Sequence, residues 1–205
     1  MSRIIAGRAG GRRLSTPSGS ATRPTSDRVR EALFSSLATW AGTSDRDADD
    51  QLAGLAVLDL FAGSGAVGLE AASRGADQVV LVERDRPTAR LIEKNIASTG
   101  LDAIVRCQAA ESFVGTPGPA FDVVFCDPPY AVSNDAVSAL LASLLAHGRL
   151  VEDGLVVVER STRTPAPDWP GTLSDVWSRR YGETVLHYAR HARSDAGDAT
   201  STTEL

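Results

Sequence analysis

The chain has few of the residues that hold small secreted or metal-dependent proteins together. It contains two cysteines, Cys107 and Cys126, and three histidines among 205 residues. Both cysteines lie in apolar runs typical of strands, so we expect buried free thiols and a reducing compartment. The histidines are scattered and no Cys or His spacing is typical of a zinc site, so we predict no metal.

The sequence also lacks a long hydrophobic run. No apolar segment approaches the roughly 20 residues that cross a bilayer, and the N-terminus has no apolar core of a signal peptide. Hydrophobic residues nevertheless make up 42% of the chain, which is enough for one domain with a proper core. We therefore expect a compact cytoplasmic domain that makes no membrane contact.

Positive charge is scarce overall but concentrated at one end. The formal net charge is −5 and the sequence pI is about 5.2. Residues 1–31, however, carry seven arginines against only Asp27 and Glu31. A basic arm on an acidic body suits binding to nucleic-acid phosphates. Taken alone, the charge slightly favours a solvated arm that only aids solubility.

A glycine-rich turn follows an apolar segment at residues 57–61 that is typical of a buried strand. Gly63, Gly65 and Gly68 form the G-x-G-x-x-G spacing of a nucleotide-binding βαβ unit, with a helix predicted from Ala66 to about residue 74. Glu83 ends the next predicted strand near the position of an acid that binds ribose hydroxyls. The alternative is a glycine turn that serves only helix–strand packing.

A second motif follows the apolar, β-branched run at residues 121–126. It is the tetrapeptide Asp127, Pro128, Pro129 and Tyr130. Two prolines prevent helix and strand pairing, so the chain leaves the sheet in an extended turn. Asp127 and the Pro128 carbonyl can then accept the two hydrogens of an exocyclic amine on a flat ring, while Tyr130 stacks on that ring. An ordinary loop after a strand is the alternative.

Together these motifs resemble the S-adenosylmethionine-dependent amino-methyltransferases, which combine an FAGSG-type loop with a DPPY-type tetrapeptide. Three N-terminal segments sharpen the resemblance, which then points to the bacterial 16S rRNA guanine-N2 methyltransferases of the small ribosomal subunit. These segments are residues 3–7, 11–14 and 23–31. The similarity extends from about residue 3 to about residue 190, and the N-terminal segments are its most specific part.

The resemblance implies a cofactor, S-adenosyl-L-methionine, and a set of residues that bind it. Asp59 and the glycine loop would hold its methionine half, and Glu83 its ribose hydroxyls. The full set is Asp59, Phe61, Ala62, Gly63, Ser64, Gly65, Glu83, Arg84, Glu111 and Thr25. Alanine stands where relatives often have a polar residue that contacts adenine, so a backbone group, Gln108 and Glu111 all remain candidates for that contact.

The resemblance also implies a catalytic set and an RNA-binding set. The tetrapeptide from Asp127 to Tyr130 would orient the guanine amine, and the partner would be 16S rRNA within the small subunit or an assembly intermediate. The arginines expected to contact RNA are Arg3, Arg8, Arg12, Arg13, Arg23 and Arg28. Because the arm precedes the main elements, we expect the protein to fold without it; the alternative is an arm that packs as an edge of the fold.

Three other functions are compatible with some of these features. An adenine amino-methyltransferase acting on DNA would share the chemistry, but the chain shows no separate target-recognition domain. An NAD-dependent oxidoreductase would explain the glycine loop but neither the tetrapeptide nor the arm. A non-catalytic RNA-binding module would have no use for the tetrapeptide.

Alternating strands and helices predict an α/β fold with a mostly parallel sheet covered on both faces. Ser26 or Asp27 can cap a first helix that runs to about residue 40. Further helices are expected from residue 66 to about residue 74, at 86–99, where Gly100 ends the helix, and at 134–145, and strands at 104–108 and 155–159. The last two strands, 173–181 and 183–190, read as an antiparallel hairpin. The resemblance implies a Rossmann-like sheet of seven strands. We predict a basic N-terminal arm (1–20) with a β-hairpin, a methyltransferase domain (21–191) and a disordered tail (192–205).

Overall fold

The computed structural model describes residues 2–17 and 25–193. Over these two ranges the strands are β1 (Ser2–Arg3), β2 (Arg13–Leu14), β3 (Ala56–Leu60), β4 (Gln78–Val82), β5 (Ile104–Arg106), β6 (Phe121–Cys126), β7 (Leu150–Ser161), β8 (Leu173–Tyr181) and β9 (Thr184–His191). The helices are α1 (Asp27–Trp40), α2 (Ala66–Ser73), α3 (Arg86–Thr99), α4 (Ala110–Val114) and α5 (Asn134–Ala146).

Seven strands form one sheet in the order β5-β4-β3-β6-β7-β9-β8. The five strands from β5 to β7 are parallel, and β9 and β8 extend the sheet as an antiparallel hairpin. A buried apolar cluster covers each face of the sheet. The predicted Rossmann-like fold is confirmed. The strand order reverses between β3 and β6, which is where ligands bind in open α/β sheets.

Local signals in the sequence explain the ends of the helices. The Ser26 hydroxyl caps α1 by accepting from the Val29 amide at 3.3 Å, and Asp85 caps α3 through the Thr88 amide. Gly100 ends α3 in the left-handed conformation, with φ of 65°. Such caps depend on adjacent residues, so the predicted bounds of α1 and α3 agree with the structure.

The second half of the sheet departs from the predicted bounds. Strand β5 ends at Arg106, and the short helix α4 was not predicted because five residues are too few to show a helical period. Strand β7 starts at Leu150, five residues earlier than expected. Its register against β6 shifts between Phe121 and Val123, and this irregularity accommodates residues that read as a loop in the sequence.

The N-terminal arm is an integral edge of the fold. Strands β1 and β2 pair as the predicted hairpin, but Ile4, Ala9 and Leu14 are buried in the same cluster as α1 and β3. The expectation that the core elements begin only after the arm is therefore wrong. Removing the arm would expose this apolar surface and destabilise the domain.

Helix α2 holds the arm through its polar side chains. The buried Glu70 carboxylate accepts from the Ile5 and Ala6 amides, at 2.6 and 3.0 Å, and it forms an ion pair with Arg74 at 2.8 Å. The Ser73 hydroxyl donates to the Ala6 carbonyl and accepts from the Ala9 amide. The hydrogen bonds between α2 and the arm join residues more than sixty positions apart, so the sequence pattern gave no sign of them.

The structure also bears on the expectations for the two cysteines, the C-terminal tail and membrane-spanning segments. Cys126 is buried as predicted, but Cys107 is exposed, because edge strand β5 ends before it. Strand β9 continues to His191, and the remainder of the predicted tail, residues 194–205, lies outside the described residues. No helix in the described ranges is both long and apolar enough to span a membrane.

Candidate active site

Four acids lie at the carboxyl ends of neighbouring parallel strands. Asp59 lies near the end of β3, Glu83 follows β4 and Asp127 follows β6. The register pairs Leu60 with both Val82 and Cys126, which aligns the ends of these three strands. Glu159, in β7, is brought to the same rim, on the far side of Asp127. Three acids predicted from the sequence, Asp59, Glu83 and Asp127, therefore lie at the strand-order reversal.

The glycine loop leaves β3 through a strained backbone. Phe61 has φ of 62°, in the left-handed region that a bulky residue rarely adopts. The turn is fixed by the Ala62 amide donating to the Val82 carbonyl at 3.0 Å, and by the Gly65 amide donating to the Ala62 carbonyl at 2.7 Å. Strain of this kind costs roughly 1–3 kcal/mol and is concentrated at functional sites.

The glycines of this loop serve two different purposes. A Cβ at Gly68 would lie 2.7 Å from Leu81 Cδ2, so Gly68 is required for packing α2 on the sheet. A Cβ at Gly63 would meet only the Phe61 carbonyl oxygen, at 4.0 Å. Packing therefore explains Gly68 but not Gly63, and the open space above Gly63 is suitable for a ligand.

Glu83 is fixed by backbone groups rather than by a cation. Its Oε2 accepts from the Gly63 amide at 3.0 Å, and its Oε1 accepts from the Asp85 amide at 2.8 Å. Each carboxylate oxygen has a further lone pair. Glu83 is thus pre-oriented at the loop with acceptor capacity left over, as its predicted contact with ribose hydroxyls requires.

Asp59 is a buried acid whose charge lacks a cationic partner among the described residues. Its Oδ2 accepts from the Gly68 amide at 2.8 Å. Burial raises the pKa of Asp59 to about 7; the Gly68 hydrogen bond opposes this rise, and the negative charge of Glu83 adds to it. A positively charged ligand group nearby would relieve this cost. The amino and sulfonium groups of S-adenosylmethionine fit this requirement.

Three further candidates for contact with the cofactor, Arg84, Glu111 and Gln108, are exposed at the surface. Arg84 is exposed beside Glu83, and Glu111 is exposed in the first turn of α4. Gln108, the other side-chain candidate for the adenine contact, is exposed as well. The alternatives for adenine recognition therefore all stay open. Thr25 has a defined partner at the neighbouring pocket, where its hydroxyl donates to Glu159 Oε2 at 2.8 Å.

The tetrapeptide forms one wall of a pocket that is partly open to solvent. Its Tyr130 side chain is 69% exposed, so the ring is free to stack on a base. The Val132 amide donates to the Pro129 carbonyl at 2.8 Å and closes the turn. The lining residues are Asp127, Pro128, Pro129, Tyr130, Glu159, Arg160, Ser161 and Thr184.

Two carboxyl groups share this pocket. Burial, and then the neighbouring charges of Glu159 and Asp59, raise the pKa of Asp127 well above its usual range, with Arg160 opposing. Burial also raises the pKa of Glu159, and the hydrogen bond from Thr25 opposes that rise. Both groups would gain from a ligand that presents hydrogen-bond donors.

Arg160 orders the loop that follows the tetrapeptide. Arg160 is 5% exposed, and its Nη2 donates to the Val132 carbonyl at 2.9 Å and to Asn134 Oδ1 at 3.1 Å. Burial lowers the pKa of Arg160. This side chain therefore fixes the turn while placing a positive charge behind the two carboxyl groups.

Two residues of the site were not predicted. Glu159 ends a predicted strand, and its position beside Asp127 depends on strand pairing. Asn95 is buried in α3; its Nδ2 donates to the Ser64 and Ser15 carbonyls, both at 2.9 Å, and so connects the glycine loop to the arm. An acid at the end of a strand next to the tetrapeptide strand could have identified Glu159, but no local signal identifies Asn95.

The predicted RNA-contacting arginines are mostly at the surface. Arg3 forms an ion pair with Asp27 at 3.2 Å, and Arg12 donates to the Ser98 carbonyl at 3.1 Å. Arg8, Arg13 and Arg28 are exposed, and Arg23 lies outside the described residues. Their contact with RNA stays a prediction.

The Rossmann-like sheet, the open glycine loop and the acids on its rim define a methyltransferase that uses S-adenosyl-L-methionine. The chain belongs to the family described as conserved hypothetical protein 95, whose model matches residues 2–190.

Similar proteins agree with this assignment. The chain is 34% identical over 197 residues to the Escherichia coli protein named ribosomal RNA small subunit methyltransferase D, covering 95% of this chain and 92% of that relative. A Haemophilus influenzae protein of the same name is 34% identical over 168 residues, covering 80% of each chain.

Solved structures show the same fold. The Escherichia coli protein yhhF is 32% identical with a TM-score of 0.79, covering 93% of this chain and 98% of that one. A Thermus thermophilus 16S rRNA N2 methyltransferase, solved in complex with AdoMet and guanosine, is 25% identical with a TM-score of 0.66; the match covers 86% of this chain and 45% of that one.

Proposed function

We propose that this methyltransferase transfers a methyl group to the exocyclic N2 amine of one guanine in 16S rRNA of the small ribosomal subunit. The observation that carries the proposal is the pocket formed by Asp127, Pro128 and Tyr130. It joins a half-buried carboxyl group to an exposed aromatic ring at the end of β6, the strand that pairs with β3 before the glycine loop. The names of the relatives support rRNA as the substrate class.

The tetrapeptide acts by orienting a poor nucleophile. The guanine amine shares its lone pair with the ring. Hydrogen bonds from the amine to Asp127 and to the Pro128 carbonyl would favour a pyramidal nitrogen whose lone pair points towards the glycine loop. Tyr130 would stack on the ring and hold an unpaired or extruded guanine in place.

The cofactor supplies a methyl group on a sulfonium, which is an excellent leaving group. Asp59, the open backbone at Gly63 and the fixed carboxylate of Glu83 would hold it. Since the donor is already activated, positioning by these residues accounts for most of the catalysis. The proton released from the amine can leave to water, so no further base is required.

The competing functions fit the pocket less well. Methylation of adenine N6 in another nucleic acid would use the same tetrapeptide. It explains less well why the pocket contains a second carboxyl group, that of Glu159. Hydride transfer gives no role to Asp127 and Tyr130. A non-catalytic RNA-binding module does not require the strained loop at Phe61.

Transfer of a tritiated methyl group to small subunits that lack the modification tests the proposal. The labelled nucleotide is then mapped, and naked 16S rRNA is compared with assembled particles. We expect label on the N2 amine of a single guanine. Label on an adenine, or transfer to DNA in preference to rRNA, would contradict the proposal.

The arm is proposed to contact rRNA while remaining part of the domain. Because Ile4 and Leu14 are buried, exposed arginines of the arm are better targets than its deletion. Arg8→Ala combined with Arg13→Ala should keep the melting temperature and cofactor affinity. It should weaken binding to the particle and reduce its salt dependence, since fewer phosphate contacts release fewer counterions.

The matched control is Arg46, which lies in the loop after α1 and forms an ion pair with Asp50. Arg46→Ala should leave the salt dependence unchanged. An arm variant with wild-type affinity and salt slope would remove Arg8 and Arg13 from the contact. We propose that the protein is a single methyltransferase domain that acts as a monomer in the cytoplasm. Sedimentation of the free protein measures its oligomeric state.

A further inference from the structure

Glu159 and Asp127 stand next to each other on neighbouring parallel strands. The register between β6 and β7 pairs Cys126 with Val158, so the residues that follow, Asp127 and Glu159, are adjacent. Both line the pocket that contains Tyr130. Glu159 is 8% exposed, so its side chain is almost entirely enclosed and can meet only a ligand that enters this pocket.

The protein satisfies Glu159 only in part. Thr25 donates its hydroxyl to Oε2 at 2.8 Å. No ion pair involves Glu159 in the described ranges, and the guanidinium of Arg160 donates instead to Val132 and Asn134. The pocket therefore presents two carboxyl groups side by side that have capacity for further donors.

This arrangement matches one edge of one RNA base. Guanine carries two adjacent donors, N1–H and the N2 amine, on its Watson–Crick edge. Adenine has a lone pair at N1, cytosine has one at N3, and uracil has a single N3–H donor. Two adjacent acceptors in the pocket therefore complement guanine and oppose a lone pair on adenine.

We propose that Glu159 accepts a hydrogen bond from N1–H of the target guanine while Asp127 accepts from N2, and that Glu159 thereby selects guanine over adenine. This inference rests on the proposed function and assigns a specificity role that the tetrapeptide alone does not provide. Thr25 is a positioning residue, because its hydroxyl fixes Oε2 and orients Glu159 in the pocket.

The electrostatics of the pocket agree with this assignment. Burial raises the pKa of both carboxyl groups, and the charge of Glu159 raises that of Asp127 further. Two guanine donors would offset this cost together, whereas the single amine of adenine would leave Glu159 facing a lone pair. Guanine, which has both donors, is thus favoured over adenine by more than the free energy of one hydrogen bond.

The test replaces the target guanine with 2-aminopurine, which keeps the exocyclic amine but has no hydrogen on N1. Once the methylated guanine has been mapped, a ligated 16S rRNA carrying 2-aminopurine at that position is assembled into subunits. We expect the wild-type enzyme to methylate this substrate with kcat/KM lower by on the order of 10- to 100-fold. Equal rates on both substrates would overturn the inference without any variant.

Glu159→Gln provides the second arm of the experiment. The glutamine amide can donate to the unprotonated N1 of 2-aminopurine, so the guanine preference should fall by about tenfold or more relative to wild type. Differences in intrinsic reactivity between the two bases cancel in this double comparison. Cofactor affinity should stay unchanged, and Glu93→Gln, an exposed substitution on α3, should retain the wild-type preference.

The outcomes separate this inference from the proposed function. Failure of the wild-type enzyme to label guanine N2 at all refutes the proposed function. Normal labelling of guanine, with the same preference over 2-aminopurine in wild type and Glu159→Gln, refutes only the role of Glu159. A melting curve of Glu159→Gln with and without cofactor verifies that the variant is folded.

Discussion

The two halves of the active site treat their carboxyl groups differently. On the cofactor side, backbone amides of Gly63 and Asp85 hold both oxygens of Glu83. On the base side, Glu159 is buried and Asp127 is half-buried beside it, and among the described residues the side chain of Thr25 donates a hydrogen bond to Glu159. The cofactor half is thus largely pre-organised, whereas the base half retains acceptor capacity for its ligand.

This difference assigns cofactor binding to one half of the site and selection of the target base to the other. Backbone amides orient the Glu83 carboxylate whatever ligand is present. The cofactor half can therefore hold the cofactor without discriminating among target bases. A buried acceptor next to a half-buried one is costly until the right donors arrive, and a site of this type rejects analogues that leave its polar groups unpaired. Asp59 is intermediate, because it has one backbone donor and a raised pKa.

The largest effect is expected at the tetrapeptide. Asp127→Ala removes an acceptor for the target amine but leaves the glycine loop intact. Turnover should fall by about 10²–10³-fold or more, while calorimetric cofactor affinity changes little. Near-normal methylation by this variant would contradict the proposed mechanism. A loss of cofactor affinity as large as the loss of turnover would show that the cofactor half and the base half do not act separately.

A side chain at Gly63 should close the cofactor half. Gly63→Val would fill the open space above the loop and force valine into a φ of 55°. Cofactor binding should be lost or reduced by more than tenfold. Gly54→Val is the matched control, because Gly54 also has a positive φ and open space but lies before β3, at the other end of the strand. Both variants should lose similar stability, and only Gly63→Val should lose the cofactor.

Stability should depend on pH through Asp59. Its pKa is raised to about 7 in the folded state, above the usual 3.8, so the folded protein binds a proton more tightly than the unfolded chain. The free energy of unfolding should therefore decrease as pH rises from about 4 to about 7, by an amount on the order of a few kcal/mol.

Thermal melts of Asp59→Asn across this range test the assignment. The variant should show a smaller decrease than wild type, and saturating cofactor should flatten the wild-type curve. Asp127 and Glu159 contribute in the same direction, so only the difference between the two proteins reports on Asp59. Identical pH dependence in both proteins would contradict the pKa assignment.

Glu83→Ala should have a moderate effect on the cofactor half. The substitution removes the acceptor expected for ribose hydroxyls and also frees the Gly63 and Asp85 amides. Cofactor affinity should weaken by roughly 1–3 kcal/mol. Calorimetry measures this loss directly, and affinity for the rRNA particle should remain near wild type; an unchanged cofactor affinity would place the cofactor elsewhere.

The smallest effect is expected at the exposed aromatic ring. Tyr130→Phe keeps the stacking surface and should retain activity within a few fold, whereas Tyr130→Ala should weaken capture of the base and raise KM. Base–aromatic stacking contributes roughly 1–3 kcal/mol. A large loss in the phenylalanine variant, measured by methyl transfer, would assign the hydroxyl a role of its own.

The sequence by itself determined the elements whose signals are local. Apolar strands that end in acids, the glycine loop, the Asp127 tetrapeptide and the caps at Ser26 and Gly100 all depend on residues close together in the chain. The α/β class follows from the alternation of these elements. The resemblance of the motifs then indicated the cofactor and the site.

Only the tertiary structure decided which of these elements meet. Glu159 reaches Asp127 through the register between β6 and β7, and the arm is fixed by Glu70 and Ser73, more than sixty residues away. Cys107 is exposed because β5 is an edge strand that ends early. Strand register and docking depend on the packing of the whole sheet, and no short stretch of sequence encodes them.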